Sequence, residues 1–261
     1  FELKDFMMDE WSNDRINETK RYGLNLYGPP GTGKTISVKA IANKFQKKIL
    51  QVDFSDLISK YVGDTGKHIK AYFEKAKQDD LILFFDEADT LLQKRSSDSS
   101  QGHYINQNQN IFMQEYDRFD GIVILTTNFF ENYDKAQDRR FNSIEYKLPT
   151  KEMRLQIIRD HIPHRVKLEN DLSLDLVAEK TEEFSGGDIK KLIENVLNNK
   201  AASVRKENFD KSIDEVKNIL RESRLSWNNF KDEIERILQN KNNYAKNNIS
   251  KKSKRIGLMA S

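Results

Sequence analysis

Cysteine is absent from the 261 residues of this chain, so disulfides, thiol nucleophiles and cysteine-bound zinc are excluded. Long apolar runs are also absent: the longest, such as residues 81–85 and 122–125, are far shorter than the roughly 20 residues that a transmembrane helix needs. The metalloprotease motif H-E-x-x-H does not occur either. These absences predict a chain with no transmembrane segment and no zinc protease centre of this type.

Neither sign of charge dominates the composition. The chain has 44 Lys and Arg against 41 Asp and Glu, for a formal net charge of +3. Such a balance predicts a protein that dissolves in water and has little demand for a nucleic-acid partner. The length is large for one domain and sufficient for two. Because the first residue is Phe1 and not Met, we expect a fragment from which an upstream domain or targeting segment is missing.

The stretch Gly28–Thr35, GPPGTGKT, fits the phosphate-loop pattern G-x-x-x-x-G-K-[ST]. Residues 24–27 before it predict a strand, and residues 35–46 after it predict a helix, with apolar and polar residues at helical intervals. Backbone amides of such a loop, at the positive end of a helix dipole, bind phosphate. A plain surface turn is the alternative, and this context disfavours it. The predicted nucleotide-binding residues here are Pro29, Pro30, Gly31, Thr32, Gly33, Lys34, Thr35 and Ile36.

Apolar runs that predict strands recur through the first 149 residues, separated by helical stretches. The predicted strands are 24–27, 49–52, 81–85, 122–126 and 144–147. Continuous apolar strands alternating with helices are typical of a parallel sheet covered on both faces. We therefore predict an α/β fold, a doubly wound parallel sheet of the P-loop NTPase type, over residues 1–149.

After Thr150 the sequence shows helical spacing and no strand signal. Thr150 and Ser173 are predicted N-caps, and Ser185 with Asp188 has the form of a capping box. We predict a small all-α lid domain over residues 150–239. The Asn-, Lys- and Ser-rich residues 240–261 are predicted to form a flexible basic tail.

Polar residues follow two of the predicted strands directly. Asp86 and Glu87 come after the apolar run at 81–85, and Asn128 comes two residues after the run at 122–126. Ligands of open α/β sheets bind at the carboxyl ends of the strands. Asp86 is predicted to hold Mg²⁺ together with Thr35, and Glu87 is predicted to polarise an attacking water. Asn128 orients that water or contacts the γ-phosphate in this interpretation; an Asn that caps a turn is the alternative.

The phosphate loop, the Asp86-Glu87 pair and Asn128, in this order and spacing, resemble the AAA+ ATPases. The similarity is closest to the AAA clade of hexameric remodelling machines and covers roughly residues 15–200. Three further stretches resemble family elements: 59–64 the first pore loop, 138–141 the paired-arginine segment, and 185–188 the lid segment near the adenine. Residues 96–103 fall where a second pore loop stands in the family.

The resemblance implies specific roles for these residues. Lys60, Tyr61 and Val62 would grip a polypeptide substrate, and Gly187 would lie near the adenine. Arg139 and Arg140 would act in trans on the phosphate bound by the next subunit, although this chain lacks the Pro-Gly often found between the family's two arginines. The division of labour between the two arginines therefore stays open.

As a whole, the resemblance implies an ATPase that uses ATP and Mg²⁺, forms a homo-oligomeric ring, usually a hexamer, and remodels or unfolds proteins in the cytoplasm. The runner-up interpretation is a nucleic-acid motor or loader of the wider AAA+ superfamily, which the near-neutral charge and the Tyr-Val-Gly loop disfavour. A nucleotide switch without hydrolysis is a third interpretation. Lys34, Asp86, Glu87 and Asn128 argue against it.

Overall fold

A parallel sheet of five strands, in the order β2-β3-β4-β1-β5, forms the centre of the first half of the chain. This arrangement confirms the predicted α/β class. Because β1 is hydrogen-bonded to both β4 and β5, and β3 lies next to β4, the carboxyl ends of β1, β3 and β4 are neighbours. The strands are β1 Tyr22–Tyr27, β2 Ile49–Asp53, β3 Ile82–Asp86, β4 Ile122–Thr127 and β5 Asn142–Glu145.

The computed structural model describes residues 21–60, 64–93, 100–128, 139–170, 172–208 and 211–258. The predicted pore-loop residues Tyr61 and Val62 lie outside these ranges, as do residues 94–99 and Asp138. Two compact units divide the chain, Phe1–Lys147 and Leu148–Ser261. The helices described in the first unit are α1 Lys34–Lys44, α2 Phe54–Lys60, α3 Thr65–Gln78, α4 Asp89–Leu92 and α5 Ser100–Arg118.

The sheet is buried on both faces because successive side chains of β3 point to opposite sides. Ile82 and Phe84 pack in one cluster with Ile41 of α1. Leu83 and Phe85 pack in the other, where Phe73 of α3 and Phe112 of α5 contact Phe85 at ring-centroid distances of 6.1 and 5.1 Å. All four β3 side chains are at most 1% exposed. Burial on both faces explains why the strand is a continuous apolar run. It also fixes the position of Asp86, the residue that ends the strand.

The second unit is mainly helical and has its own core. Side chains from four of its helices meet there, among them Ile158, Val177, Ile193 and Phe230, each at most 1% exposed. Its helices are α6 Lys151–His161, α7 Leu174–Lys180, α8 Gly186–Glu207, α9 Ile213–Glu222 and α10 Trp227–Leu258. No helix in the described ranges combines the length and apolar character that a bilayer crossing requires.

The predicted caps of the second unit are confirmed. Thr150 accepts a hydrogen bond from the Met153 amide at 3.4 Å, and Ser173 accepts one from Leu176 at 3.3 Å. Ser185 and Asp188 form the reciprocal pair of bonds that defines a capping box. These side chains satisfy amides that the first turn of a helix leaves unpaired.

Two features of the second unit differ from the prediction. A two-residue parallel pair, β6 Lys167–Leu168 with β7 Arg224–Leu225, stands where no strand was predicted. Strands this short carry too few residues to show a period-two pattern. Residues 240–258, assigned to a flexible tail, continue α10. That stretch contains no proline and has glycine only at Gly257, so nothing in it interrupts a helix that the preceding apolar spacing begins. The predicted lid boundaries stay a prediction.

Strand β5 begins two residues earlier than the predicted run at 144–147. It lies at the edge of the sheet and pairs with β1 alone. Three of its four residues are exposed, and only Ile144 packs against the core. An edge strand with polar Asn142 and Ser143 therefore gives little apolar signal of where it begins.

Candidate active site

The loop from Gly28 to Gly33 connects β1 to α1 and depends on glycine at positions with left-handed backbone. The φ angles of Gly28, Gly31 and Gly33 are 137°, 76° and 103°. At Gly28 a Cβ would lie 2.1 Å from the carbonyl oxygen of Tyr146, so no larger residue fits there. At Gly33 a Cβ would have no atom within 4 Å. The loop therefore curves around open space at the start of α1.

The first turn of α1 offers its amides to that space. Gly33 occupies the N-cap position, no side chain caps the helix, and no acidic residue lies in the first turn. Uncapped amides together with the helix dipole favour an anion. Pro29, Pro30 and Gly31 are exposed, and Thr32 fixes the loop by donating to the Pro29 carbonyl at 2.8 Å. These features suit the phosphate-binding role predicted for the loop.

Lys34 connects the loop to the end of β4. Its ammonium donates to the carbonyl oxygens of Gly28 at 2.6 Å and Pro29 at 3.0 Å, and to Oδ1 of Asn128 at 3.0 Å. The side chain is buried, and this burial lowers the pKa of Lys34 against the opposing attraction of Asp89 and Asp86. A desolvated cation held by neutral oxygens gains more from a phosphate than a hydrated one does.

Asp86 ends β3 and is held in one orientation by its neighbours. Oδ1 accepts hydrogen bonds from the Thr126 hydroxyl at 2.5 Å and from the Glu87 amide at 3.2 Å. Oδ2 accepts a longer bond from the Gln51 side chain at 3.3 Å. Thr126 and Gln51 belong to the two strands that flank β3. A carboxylate held from both sides in this way keeps its oxygen atoms in one orientation, which suits a metal-binding role.

Glu87 follows Asp86 in a strained backbone conformation. Its φ is 53°, a left-handed value uncommon for a residue with a side chain, and such outliers cluster at functional sites. The side chain is exposed. Desolvation raises the pKa of Glu87, and the carboxylates of Asp53, Asp86, Asp89 and Asp56 raise it further. A carboxylate made more basic by its surroundings is better suited to take a proton from water.

Asn128 lies at the end of β4, where its two polar ends have separate partners. The backbone amide donates to Oδ1 of Asp89 at 2.9 Å, while the side-chain oxygen accepts from Lys34. Asp89, in the first turn of α4, thus fixes the loop that carries Asn128. The Asn128 side chain is therefore held next to Lys34, at the end of the sheet where Asp86 also lies. An asparagine that only caps a turn would not make this contact with Lys34.

The two predicted finger arginines have different surroundings. Both are exposed, but the Arg140 guanidinium makes two bonds to the carboxylate of Asp117 in α5, at 3.3 and 3.2 Å. The Arg140 carbonyl accepts a bond from the Tyr116 hydroxyl at 2.7 Å. In the described part of the chain, Arg139 has no hydrogen-bond or ion-pair partner. Arg140 is therefore anchored to α5, whereas the Arg139 guanidinium is exposed and has no partner among the described residues.

The other predicted residues lie as follows. Thr35 is half-buried in the first turn of α1, and Ile36 is 73% exposed, an unusual apolar exposure beside the loop. Lys60 ends α2. Gly187 lies exposed in the first turn of α8, in the second unit. The structure thus brings together Lys34 and Asn128 by direct contact, with Asp86 and Glu87 on the neighbouring strand end.

Several residues that shape the site were not predicted from the sequence. Gln51 and Thr126 orient Asp86, Asp89 fixes Asn128, and Asp117 anchors Arg140. Asp89 had a sequence signal, because it lies only three residues after Asp86. The contacts of Gln51, Thr126 and Asp117 join positions at least 23 residues apart, and only the fold brings them together.

Known proteins are similar to this chain over half to four fifths of its length. Residues 24–148 match the family model described as ATPase family associated with various cellular activities (AAA). The proteasome-activating nucleotidase of Archaeoglobus fulgidus is 35% identical over 207 residues, which is 74% of this chain and 52% of that protein. The cell division cycle protein 48 homolog of the same organism is 35% identical over 176 residues, 64% of this chain and 24% of that protein.

A crystal structure of the FIGL-1 AAA domain in complex with ADP matches with a TM-score of 0.65 and 23% identity, covering 81% of this chain and 70% of that one. At this identity the match shows the fold alone. The chain spans about half the length, or less, of the two curated relatives named above. The matched region contains the phosphate loop, the Asp86-Glu87 strand end and the arginine segment, and residues 24–148 of this chain belong to the family of AAA ATPases.

Proposed function

We propose that this chain hydrolyses ATP and uses the energy to remodel protein substrates. The observation that carries the proposal is the contact of Lys34 with both its own loop and Asn128, at a sheet edge that also presents Asp86 and Glu87. This constellation supplies a phosphate cradle, a metal ligand, a base and a polar orienting group, the set that phosphoryl transfer to water needs.

The residues present fit Mg²⁺ and the phosphates of ATP. The Thr35 hydroxyl and the Asp86 carboxylate would hold the ion, since both are oxygen ligands of the kind it prefers. When bound, Mg²⁺ neutralises charge on the β- and γ-phosphates. Lys34 would add a buried positive charge, and the amides from Gly31 to Thr35 would orient the phosphates. Ile36 offers an exposed apolar surface beside the loop for contact with the nucleoside.

Glu87 would take the proton of the attacking water, and Asn128 would orient that water or the γ-phosphate. The fixed backbone of Asn128 and the raised pKa of Glu87 support these roles. Arg139 would complete the site of a neighbouring subunit, since its guanidinium is exposed and unpaired within the described chain. The working form in this proposal is a homo-oligomeric ring, a hexamer by analogy with the family, in a cytosolic location where ATP is available.

The proposed cargo is a polypeptide, gripped by Lys60, Tyr61 and Val62. Support comes from the relative named a proteasome-activating nucleotidase, which indicates nucleotide turnover in the service of a protein-degrading partner for that protein. Gly187 and the rest of the Ser185–Asp188 segment would contact the nucleotide from the lid.

The decisive experiment is the substitution Glu87→Gln. It preserves size and removes the base, so ATP binding is expected to persist while turnover falls by roughly 10²–10⁴-fold. Steady-state phosphate release and nucleotide retention on the purified protein measure the two effects. Glu74→Gln, an exposed site on α3 away from the sheet edge, is the matched control and should leave both unchanged. Undiminished turnover in Glu87→Gln would sink the proposal.

A further inference from the structure

A surface groove of about 350 Å³ lies in the second unit, away from the phosphate loop in the chain. The apolar residues that line it form its floor: Leu197 of α8, Leu220 of α9, Leu225 of β7, and Val166. Leu225 is 2% exposed, while the other three are half-buried. Leu225 belongs to the unit's core, while Val166, Leu197 and Leu220 leave part of their apolar surface open to solvent in the groove.

The rim of the groove is cationic. Arg165, Lys200 and Lys217 line it, and none of its described lining residues is acidic. Arg165 and Lys200 have no hydrogen-bond or ion-pair partner in the described part of the chain. Lys217 pairs with Asp214 at 3.2 Å, an exposed pair of the kind that contributes little and exchanges readily.

One carboxylate that adjoins the groove lining in sequence is already paired with a cation outside the groove. Glu222, at the end of α9, is held in a salt bridge with Lys167. Two uncompensated cations beside an apolar floor attract a ligand that combines apolar side chains with negative charge.

We propose that this groove binds a short acidic peptide segment of a partner protein. One or two aliphatic side chains of the segment would lie on Leu197, Leu220 and Leu225, and flanking carboxylates would pair with Arg165 and Lys200. A small molecule suits the groove less well, because small ligands are usually buried over 70–90% of their surface and most of these lining residues are exposed or half-buried. A peptide needs only its anchoring side chains covered.

The test is fluorescence anisotropy with the full chain and a labelled hexapeptide of sequence Asp-Glu-Leu-Leu-Glu-Asp. We expect saturable binding that weakens as salt rises, because the flanking pairs are exposed and screened. The same peptide with both Leu changed to Ser, and a version with Lys in place of all four acids, should each bind at least about tenfold more weakly. The readout does not depend on ATP turnover.

A charge-reversal variant tests whether the peptide binds in the groove. The double substitution Arg165→Glu with Lys200→Glu should weaken peptide binding by about tenfold or more, since two attractions become repulsions. A matched double variant, Arg159→Glu with Lys191→Glu, reverses two exposed cations on α6 and α8 outside the groove and should bind as the unmodified chain does. Thermal unfolding of both variants checks that the fold is intact.

Four outcomes overturn the proposal. The first is no saturable binding of the acidic peptide, and the second is equal weakening by both double variants. The third is tighter binding of a single-stranded oligonucleotide than of the peptide, which would assign the cations to nucleic acid. The fourth concerns a second copy of this chain as the occupant, which sedimentation of the two double variants tests. Self-association that is lost only in the groove variant would assign the groove to a second copy and would overturn the peptide assignment.

Discussion

At the scale of single residues, Glu87 is distinguished by its electrostatic surroundings. Desolvation is the largest cause of its raised pKa, and among the contributing carboxylates Asp53 has the largest effect. Asp53 also caps α2 by accepting a hydrogen bond from the Asp56 amide at 2.9 Å. One residue therefore serves both the local helix and the basicity of the proposed catalytic carboxylate.

This coupling predicts a shift in pH dependence for Asp53→Asn. Glu87 must be ionised to act as a base, so kcat/KM falls as pH drops through its pKa. Removing the negative charge of Asp53 lowers that pKa, and the acid limb of the profile should move to lower pH. Asparagine is also a good N-cap, so α2 is preserved. Asp120→Asn, an exposed site that is not among the causes of the shift, is the control. An unmoved acid limb would contradict the role of Asp53.

The two arginines lead to a second prediction at this scale. Arg139→Ala removes a free guanidinium and should lower ATP turnover by roughly 10³–10⁵-fold without changing thermal stability. Arg140→Ala also breaks the pair with Asp117 and should lower the unfolding temperature as well. Turnover and unfolding temperature are measured for each, with Arg159→Ala as control.

Mixing experiments separate action in trans from action within one chain. Arg139→Ala subunits keep Glu87, and Glu87→Gln subunits keep Arg139. A mixture therefore forms some interfaces with both groups, and its turnover should exceed that of either variant alone. A mixture no more active than its components would exclude the trans role proposed for Arg139.

At the scale of elements, β1 and α5 depend on each other through Gly23. A Cβ there would lie 2.2 Å from the Tyr116 hydroxyl and 2.7 Å from the Arg140 carbonyl oxygen. Tyr116 stacks on Phe141 with ring centroids 4.6 Å apart, and its burial raises the pKa of Tyr116 to about 12. The absence of a side chain at Gly23 lets α5 approach β1 and places the arginine segment against the sheet.

We therefore expect Gly23→Ala to lower the free energy of unfolding by about 1–3 kcal/mol, the usual cost of overpacking. The loss should be smaller in a Tyr116→Phe background, because the hydroxyl is the nearest clashing atom. Chemical denaturation of the two single variants and the double variant measures this coupling. Gly187→Ala, in an exposed helical turn, is the control and should be neutral or stabilising. Strict additivity would contradict the packing argument.

Some elements of the fold could be predicted from the sequence, and others could not. Strands β1 to β4 were predicted within two residues at each end, because each contains a cluster of apolar residues, most clearly β3 and β4, which are mostly buried. The buried side of α1 was not evident from the sequence: Val38, Ile41 and Ala42 face the sheet, whereas Ile36 is exposed. An apolar residue exposed at the surface blurs the amphipathic pattern.

Some residues of the candidate site could likewise be predicted from the sequence, and others could not. Lys34, Asp86, Glu87 and Asn128 were found from motif and position, since each follows a strand end or a glycine loop. The residues that orient the site were not found from the sequence. Gln51, Thr126 and Asp117 act through side-chain hydrogen bonds between strands and helices that are distant in the chain. Only the strand order β2-β3-β4-β1-β5 brings those partners together.

At the scale of the whole molecule, the second unit carries a complete core of its own. Phe184 and Phe230 are fully buried among apolar residues that all lie between 158 and 237. We predict that residues 148–261 expressed alone fold cooperatively, as compact units with their own core usually do. Far-ultraviolet circular dichroism during heating measures this. Phe230→Ala should lower the free energy of unfolding of that fragment by about 3–5 kcal/mol, and a fragment without a cooperative transition would contradict the prediction.

The anchoring of α10 has a mechanical consequence. Lys241 donates to Oδ2 of Asp188 at 2.7 Å and to the Glu183 carbonyl at 2.8 Å, and its ammonium lies 4.9 Å from the centre of the Phe184 ring. The helix thus has a fixed pivot beside the Ser185–Asp188 segment, and it continues to Leu258. At 1.5 Å per residue the arm beyond the pivot is about 25 Å long, so a tilt of about 10° at the pivot moves its tip by about 4 Å. Any small rotation at the capping box is amplified at the far end of this lever.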